Sequence, residues 1–109
     1  MKLYEFLIPV NDKKGFQFDR KIIGAFLKQV AEIAGGFTGN ANDVGTLYGG
    51  WVDPKTNELY TEVNTSIRVA CDLVDLEEIC ELAATTFNQE AIMAYEVSPE
   101  VLFFSKPDA

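Results

Sequence analysis

From Leu59 to Cys71 the chain alternates without a break: Leu59, Thr61, Val63, Thr65, Ile67, Val69 and Cys71 on one set of positions, Tyr60, Glu62, Asn64, Ser66, Arg68 and Ala70 on the other. Successive side chains of a strand point to opposite faces, so this pattern predicts one long strand with an apolar face and a polar face. Such a strand must sit in a sheet covered on one side. In a chain of 109 residues there is room for one domain and one hydrophobic core. The apolar face therefore fits a single layer of helices.

The remaining segments supply that layer and the other strands. Residues Lys2 to Val10 are rich in Leu, Tyr, Phe, Ile and Val and stop at Asn11-Asp12-Lys13-Lys14-Gly15, a strand running into a turn. Its two sets, Leu3/Glu5/Leu7 and Tyr4/Phe6/Ile8, are both largely apolar. From Asp19, a candidate N-cap, apolar residues recur at Ile22, Ile23, Phe26, Leu27, Val30 and Ile33, the spacing of one helical face, and Gly35-Gly36 ends that helix. Val44 to Val52 reads as a strand joined to Leu59–Cys71 through the turn-forming Asp53-Pro54-Lys55-Thr56-Asn57. A second helix is expected to start at Asp75, capped by Asp75 with Glu78 reaching back, and to turn Leu76, Ile79, Cys80, Ala83 and Phe87 inward. Ala91 to Tyr95 reads as a further strand and Val101 to Phe104 as a short last one.

The order strand, helix, strand, strand, helix, strand predicts an α+β, ferredoxin-like domain spanning residues 1–109, with two helices on one face of an antiparallel sheet. The opposite face would then be bare. On it are expected Tyr4, Phe6, Ile8 and Tyr60 together with Glu62, Asn64 and Arg68, an apolar patch of the kind that marks an interface. The expectation is a homo-oligomer packed through its sheets.

Charge and cysteine content narrow the function. A net charge of −8 disfavours a nucleic-acid partner, because phosphate binders present Lys and Arg to release counterions. The acids are dispersed, which also weakens a reading as a DNA mimic. The chain has no histidine, so a structural zinc site and a His-based triad are both excluded within one chain, and no metal or cofactor is expected. Cys71 and Cys80 read as small buried hydrophobes. With 48% hydrophobic and 24% charged residues and no run of apolar residues long enough to span a bilayer, the composition fits a cytoplasmic protein with no membrane partner.

Glycines, aromatics and one carboxylate concentrate between Gly35 and Glu62. Glu62, mid-strand between Tyr60 and Asn64, is a carboxylate that an oligomer could desolvate and set against a cationic ligand; its bland counterpart is a surface glutamate paired with Arg68. Tyr48, before Gly49-Gly50, can offer its hydroxyl to a ligand or fill space at a bulge. Trp51 can stack on a purine or a sulfonium-bearing ligand, or simply pack beside the turn. Gly35-Gly36-Phe37-Thr38 lacks the lysine of a phosphate loop and reads as a helix-ending turn, while Asn40, Asn42 and Asp43 read as loop.

The pieces Gly35 to Thr38, Gly49 to Trp51, Glu62 and Gln89-Glu90-Ala91-Ile92 resemble the pattern of a group of small ferredoxin-like bacterial and phage proteins. Leu47-Tyr48-Gly49 followed by Tyr60-Thr61-Glu62 is also similar to the phage S-adenosylmethionine lyases, which form trimers with ligands between subunits. That resemblance implies Glu62 and Tyr48 as catalytic residues holding the amino-acid end of S-adenosylmethionine while its own carboxylate displaces methylthioadenosine. Trp51, Tyr60, Asn64 and Arg68 are the candidate ligand-binding residues beside them. Binding of a nucleotide or nucleotide-like signal without turnover, as in PII-like trimers and phage sequestering proteins, is the alternative, and a purely structural oligomer a third.

Overall fold

The computed structural model describes residues 1–39 and 47–107. Its elements are β1 (Lys2–Pro9), α1 (Arg20–Ala34), β2 (Thr38–Gly39), β3 (Leu47–Val52), β4 (Leu59–Cys71), α2 (Leu73–Thr86) and β5 (Ala94–Ser98). The sheet runs β2-β4-β1-β5, antiparallel throughout, and β3 pairs with β4 as well. β2 and β3 use different stretches of β4: Thr38 and Gly39 lie opposite Arg68 and Ile67, Leu47–Val52 opposite residues 59–64. This is the α+β ferredoxin-like arrangement. Val44, expected to open β3, and the loop residues Asn40, Asn42 and Asp43 lie outside the described residues.

The register fixes which face is the core. Tyr4, Phe6 and Ile8 pair with Val69, Ile67 and Thr65, and residues directly opposite share a face. Tyr4, Phe6, Ile8, Ile67, Val69 and Cys71 are buried together with Phe26 and Val30 of α1 and Leu76, Ile79 and Ala83 of α2. Phe6, Phe26, Phe87 and Phe18 form a chain of edge-to-face rings with centroids 6.2, 5.1 and 5.1 Å apart. The alternation expected of β4 is therefore correct, and the bare-face placement of Tyr4, Phe6 and Ile8 is reversed: the bare face carries Leu3, Glu5 and Leu7 instead. Both sets of β1 are apolar enough to be buried, so only pairing with β4 decides between them. The larger set goes under the helices, where it removes more surface from water.

Local chemistry sets the element ends. Asp19 caps α1 by accepting from the Lys21 backbone N–H at 2.8 Å, and Gly35 closes it with φ of 85°, a left-handed conformation glycine adopts at no steric cost. α2 begins earlier than expected, at Leu73 behind Asp72, which makes no side-chain cap; Asp75 sits inside the first turn, where its charge suits the helix dipole. The β3–β4 turn holds through Asp53, whose Oδ1 accepts from the Lys55 N–H at 2.8 Å, and through Asn57 at φ of 59°. β5 runs from Ala94 to Ser98 rather than from Ala91 to Tyr95, because Ile92 folds in against the core before the chain joins the sheet. Val101–Phe104 forms no strand.

β4 is longer than the helices can cover. Its first residues and β3 project as a two-stranded arm, with Leu47, Tyr48, Trp51, Val52, Leu59 and Tyr60 all exposed. The chain measures 61 × 29 × 22 Å with a radius of gyration of 15.5 Å, against about 13 Å for a compact domain of this length. An isolated hairpin is at best marginally stable in water, so an arm of this composition calls for cover.

Both cysteines are free thiols. Burial pushes the Cys71 thiol up, with the carboxylates of Asp75 and Asp72 adding to it, and burial alone raises Cys80, so neither is an activated nucleophile. Among the described residues no group of three or more Cys, Asp or Glu is placed to hold a metal ion, and no helix is long and apolar enough to cross a membrane.

Candidate functional site

The pairing of β3 with β4 sorts the candidate residues by face. Leu47, Gly49 and Trp51 lie opposite Asn64, Glu62 and Tyr60, so these six share the open face of the arm, away from the helices. Trp51 and Tyr60 stack with ring centroids 5.0 Å apart and planes 22° from parallel. The Tyr60 hydroxyl donates to Glu58 Oε2 at 3.0 Å, and Asn64 Nδ2 donates to Glu62 Oε1 at 3.5 Å. Gly49 places no side chain across from Glu62, which leaves that carboxylate open on its β3 side. Two aromatic faces and two carboxylates thus stand within one short stretch of hairpin, a surface that suits a flat cation: the rings offer π density and the carboxylates offer charge.

Two of the expected residues stand apart from this group. Tyr48 pairs with Val63 and so lies on the opposite, helix-side face of the arm, 76% exposed. Within one chain Tyr48 and Glu62 do not meet. Arg68 shares the open face with Glu62 but lies six residues further along β4, roughly 20 Å at the rise of an extended strand.

Arg68 has its own partner, which is not Glu62. Its Nε donates to Glu5 Oε1 at 3.0 Å, the Glu5 side chain being only 10% exposed and that of Arg68 50%. The registers place Tyr95, Glu5, Arg68 and Thr38 in one row across four strands of the open face. Glu5 was not among the sequence candidates. Its signal is a single carboxylate inside an otherwise apolar strand, which in a sheet needs a cation beside it. Arg68→Ala is expected to lower unfolding free energy in urea by about 1–2 kcal/mol, since it strands a buried carboxylate while the arginine itself is half solvated. Replacing both partners with leucine should recover most of that loss.

A separate recess between the β1–α1 loop and the end of α2 is lined by Asp12, Lys13, Lys14, Phe18, Phe87 and Asn88. It contains none of the candidate residues.

No protein-family model matches the sequence, and no curated protein matches it. Solved structures do match over nearly the whole chain. The divalent cation tolerance protein Cut A1 from Thermus thermophilus has a TM-score of 0.58 at 10% identity, covering 92% of this chain and 86% of that one. A phage SAM lyase in complex with S-methyl-5'-thioadenosine has a TM-score of 0.57 at 11% identity, covering 93% and 92%. CutA1 from Oryza sativa has 0.58 at 9%, covering 94% and 82%. The likeness is one of fold. What this chain shares with these proteins is the ferredoxin-like fold, and a fold does not carry a function with it.

Proposed function

We propose that this chain works as a homo-oligomer, a trimer by preference, binding a cationic purine nucleoside on the open face of its hairpin arm, and that the ligand is S-adenosylmethionine. The observation that carries the reading is the Trp51–Tyr60 stack with Glu62 on the same face. A purine can extend the stack, and Glu62 can take the substrate's ammonium.

The reaction needs no external base. The substrate's carboxylate oxygen attacks its own γ-carbon, the carbon–sulfur bond breaks with its electron pair going to sulfur, and the products are homoserine lactone and neutral methylthioadenosine. What the protein supplies is position: holding the amino-acid end bent toward the sulfonium converts a rare conformer into the bound one. In this reading Tyr48, on the far face of its own arm, reaches the substrate from a neighbouring subunit.

Incubation with S-adenosylmethionine, followed by chromatography, is expected to show methylthioadenosine accumulating. Intact substrate after long incubation at high protein concentration removes the lyase reading. The separation of Tyr48 from Glu62 within one chain favours a second reading, binding of a nucleotide or nucleotide signal without turnover. That reading expects a small molecule in mass spectra of the denatured protein or a thermal shift with a member of a nucleotide panel, and the absence of both removes it.

A further inference from the structure

Exposed apolar residues gather at two places that cannot meet within one chain. The first follows β5. Ser98 Oγ donates to the Glu100 carbonyl at 2.8 Å and steers the chain away from the sheet. Leu102, Phe103 and Phe104 are then 64%, 76% and 89% exposed, and among the described residues the backbone of 101–107 makes no hydrogen bond. Three large apolar side chains in a row, presented to water on unpaired backbone, form a segment built to be covered.

The second is the helix-side face of the arm. Tyr48, Val52 and Leu59 continue the face that α1 and α2 cover further along β4, and all three are exposed. The arm therefore lacks the second layer that the rest of the sheet has.

Reach rules out an intramolecular match. Ser98 pairs with Leu3, and Leu3 with Ala70, so the tail leaves the sheet level with Ala70. Val52 and Leu59 stand at the other end of β4, roughly 36 Å away at the rise of an extended strand. Residues 99–104 span at most about 21 Å when fully extended.

We propose that Val101–Phe104 docks on the helix-side face of the hairpin arm of a second copy of this chain. The two strips together offer roughly 800 Å² of apolar surface, the centre of an interface of standard size. The contact is head to tail, so repeated around an axis it closes a ring in which every tail and every arm is used once. It places the tail beside Tyr48 of the next copy, on the reverse side of the ligand-binding face. The inference rests on the oligomeric part of the proposed function and is independent of the ligand.

Light scattering tests it on the full chain. Phe103→Ser with Phe104→Ser is expected to lower the solution mass at least twofold at micromolar concentration, with the far-UV spectrum unchanged because these residues touch no core. A variant that stays at the wild-type oligomeric mass overturns the docking and leaves the oligomeric reading standing; a monomeric wild type overturns both. Placement is read by mixing Phe103→Cys with Val52→Cys under mild oxidation, where a disulfide between the two chains is expected. Cross-linking no greater than either variant gives with wild type overturns the assignment of the arm as the partner.

Discussion

Phe26→Ala is expected to cost about 3–5 kcal/mol, a large part of the stability a domain of this size possesses. Phe26 is buried and packs edge-to-face on Phe6 of the sheet and on Phe87 at the end of α2, with ring centroids 6.2 and 5.1 Å away, so it joins both helices to β1. Its removal leaves a cavity between the buried rings of Phe6 and Phe87, the latter also held edge-to-face by Phe18, and such a cluster relaxes poorly. The midpoint of thermal unfolding should fall by about 12–20 °C. A drop of only a few degrees in circular dichroism would mean that α1 is not packed as described.

Glu62→Gln carries the largest expected effect on function. The substitution keeps shape and removes charge, so the arm and its Trp51–Tyr60 stack are retained while the carboxylate proposed to take the ligand's ammonium is lost. Under the proposed lyase function, methylthioadenosine release should fall by at least ~100-fold, the scale set by deleting one positioned electrostatic group. Glu96→Gln, which touches only an exposed ion pair with Lys2, should leave the rate unchanged and controls for the loss of one acid from a chain of net charge −8. Equal loss in both variants, or none in either, would place the chemistry elsewhere.

The contacts behind these two residues differ greatly in legibility. The long strand, α1, the Asp19 cap and the 53–57 turn follow from patterns confined to a few neighbouring residues and are where the sequence puts them, as is the body of α2. The faces of β1 are not written in β1, because either set of its side chains is apolar enough to be buried and the choice is made by pairing with β4. The start of α2 is ambiguous for a related reason: Asp72 and Asp75 are both able to precede a helix, and the chain uses Asp72 although its side chain makes no capping bond. In the candidate site, alternation alone puts Tyr60, Glu62 and Asn64 together, but placing Trp51 beside them and Tyr48 behind them takes the β3 register. The partner of Arg68 lies 63 residues away in sequence, beyond any local signal.

The position of β1 bears on how the molecule is made. Of the described strands, the first to be synthesised is an interior one, paired on one side with β4 and on the other with β5. Neither partner exists until most of the chain has been synthesised, so Tyr4, Phe6 and Ile8 spend that interval without a lid, and closure waits on the most distant pairings of all. Nascent chains arrested before residue 94 should therefore engage chaperones strongly, and their release should coincide with the appearance of protease resistance in β1.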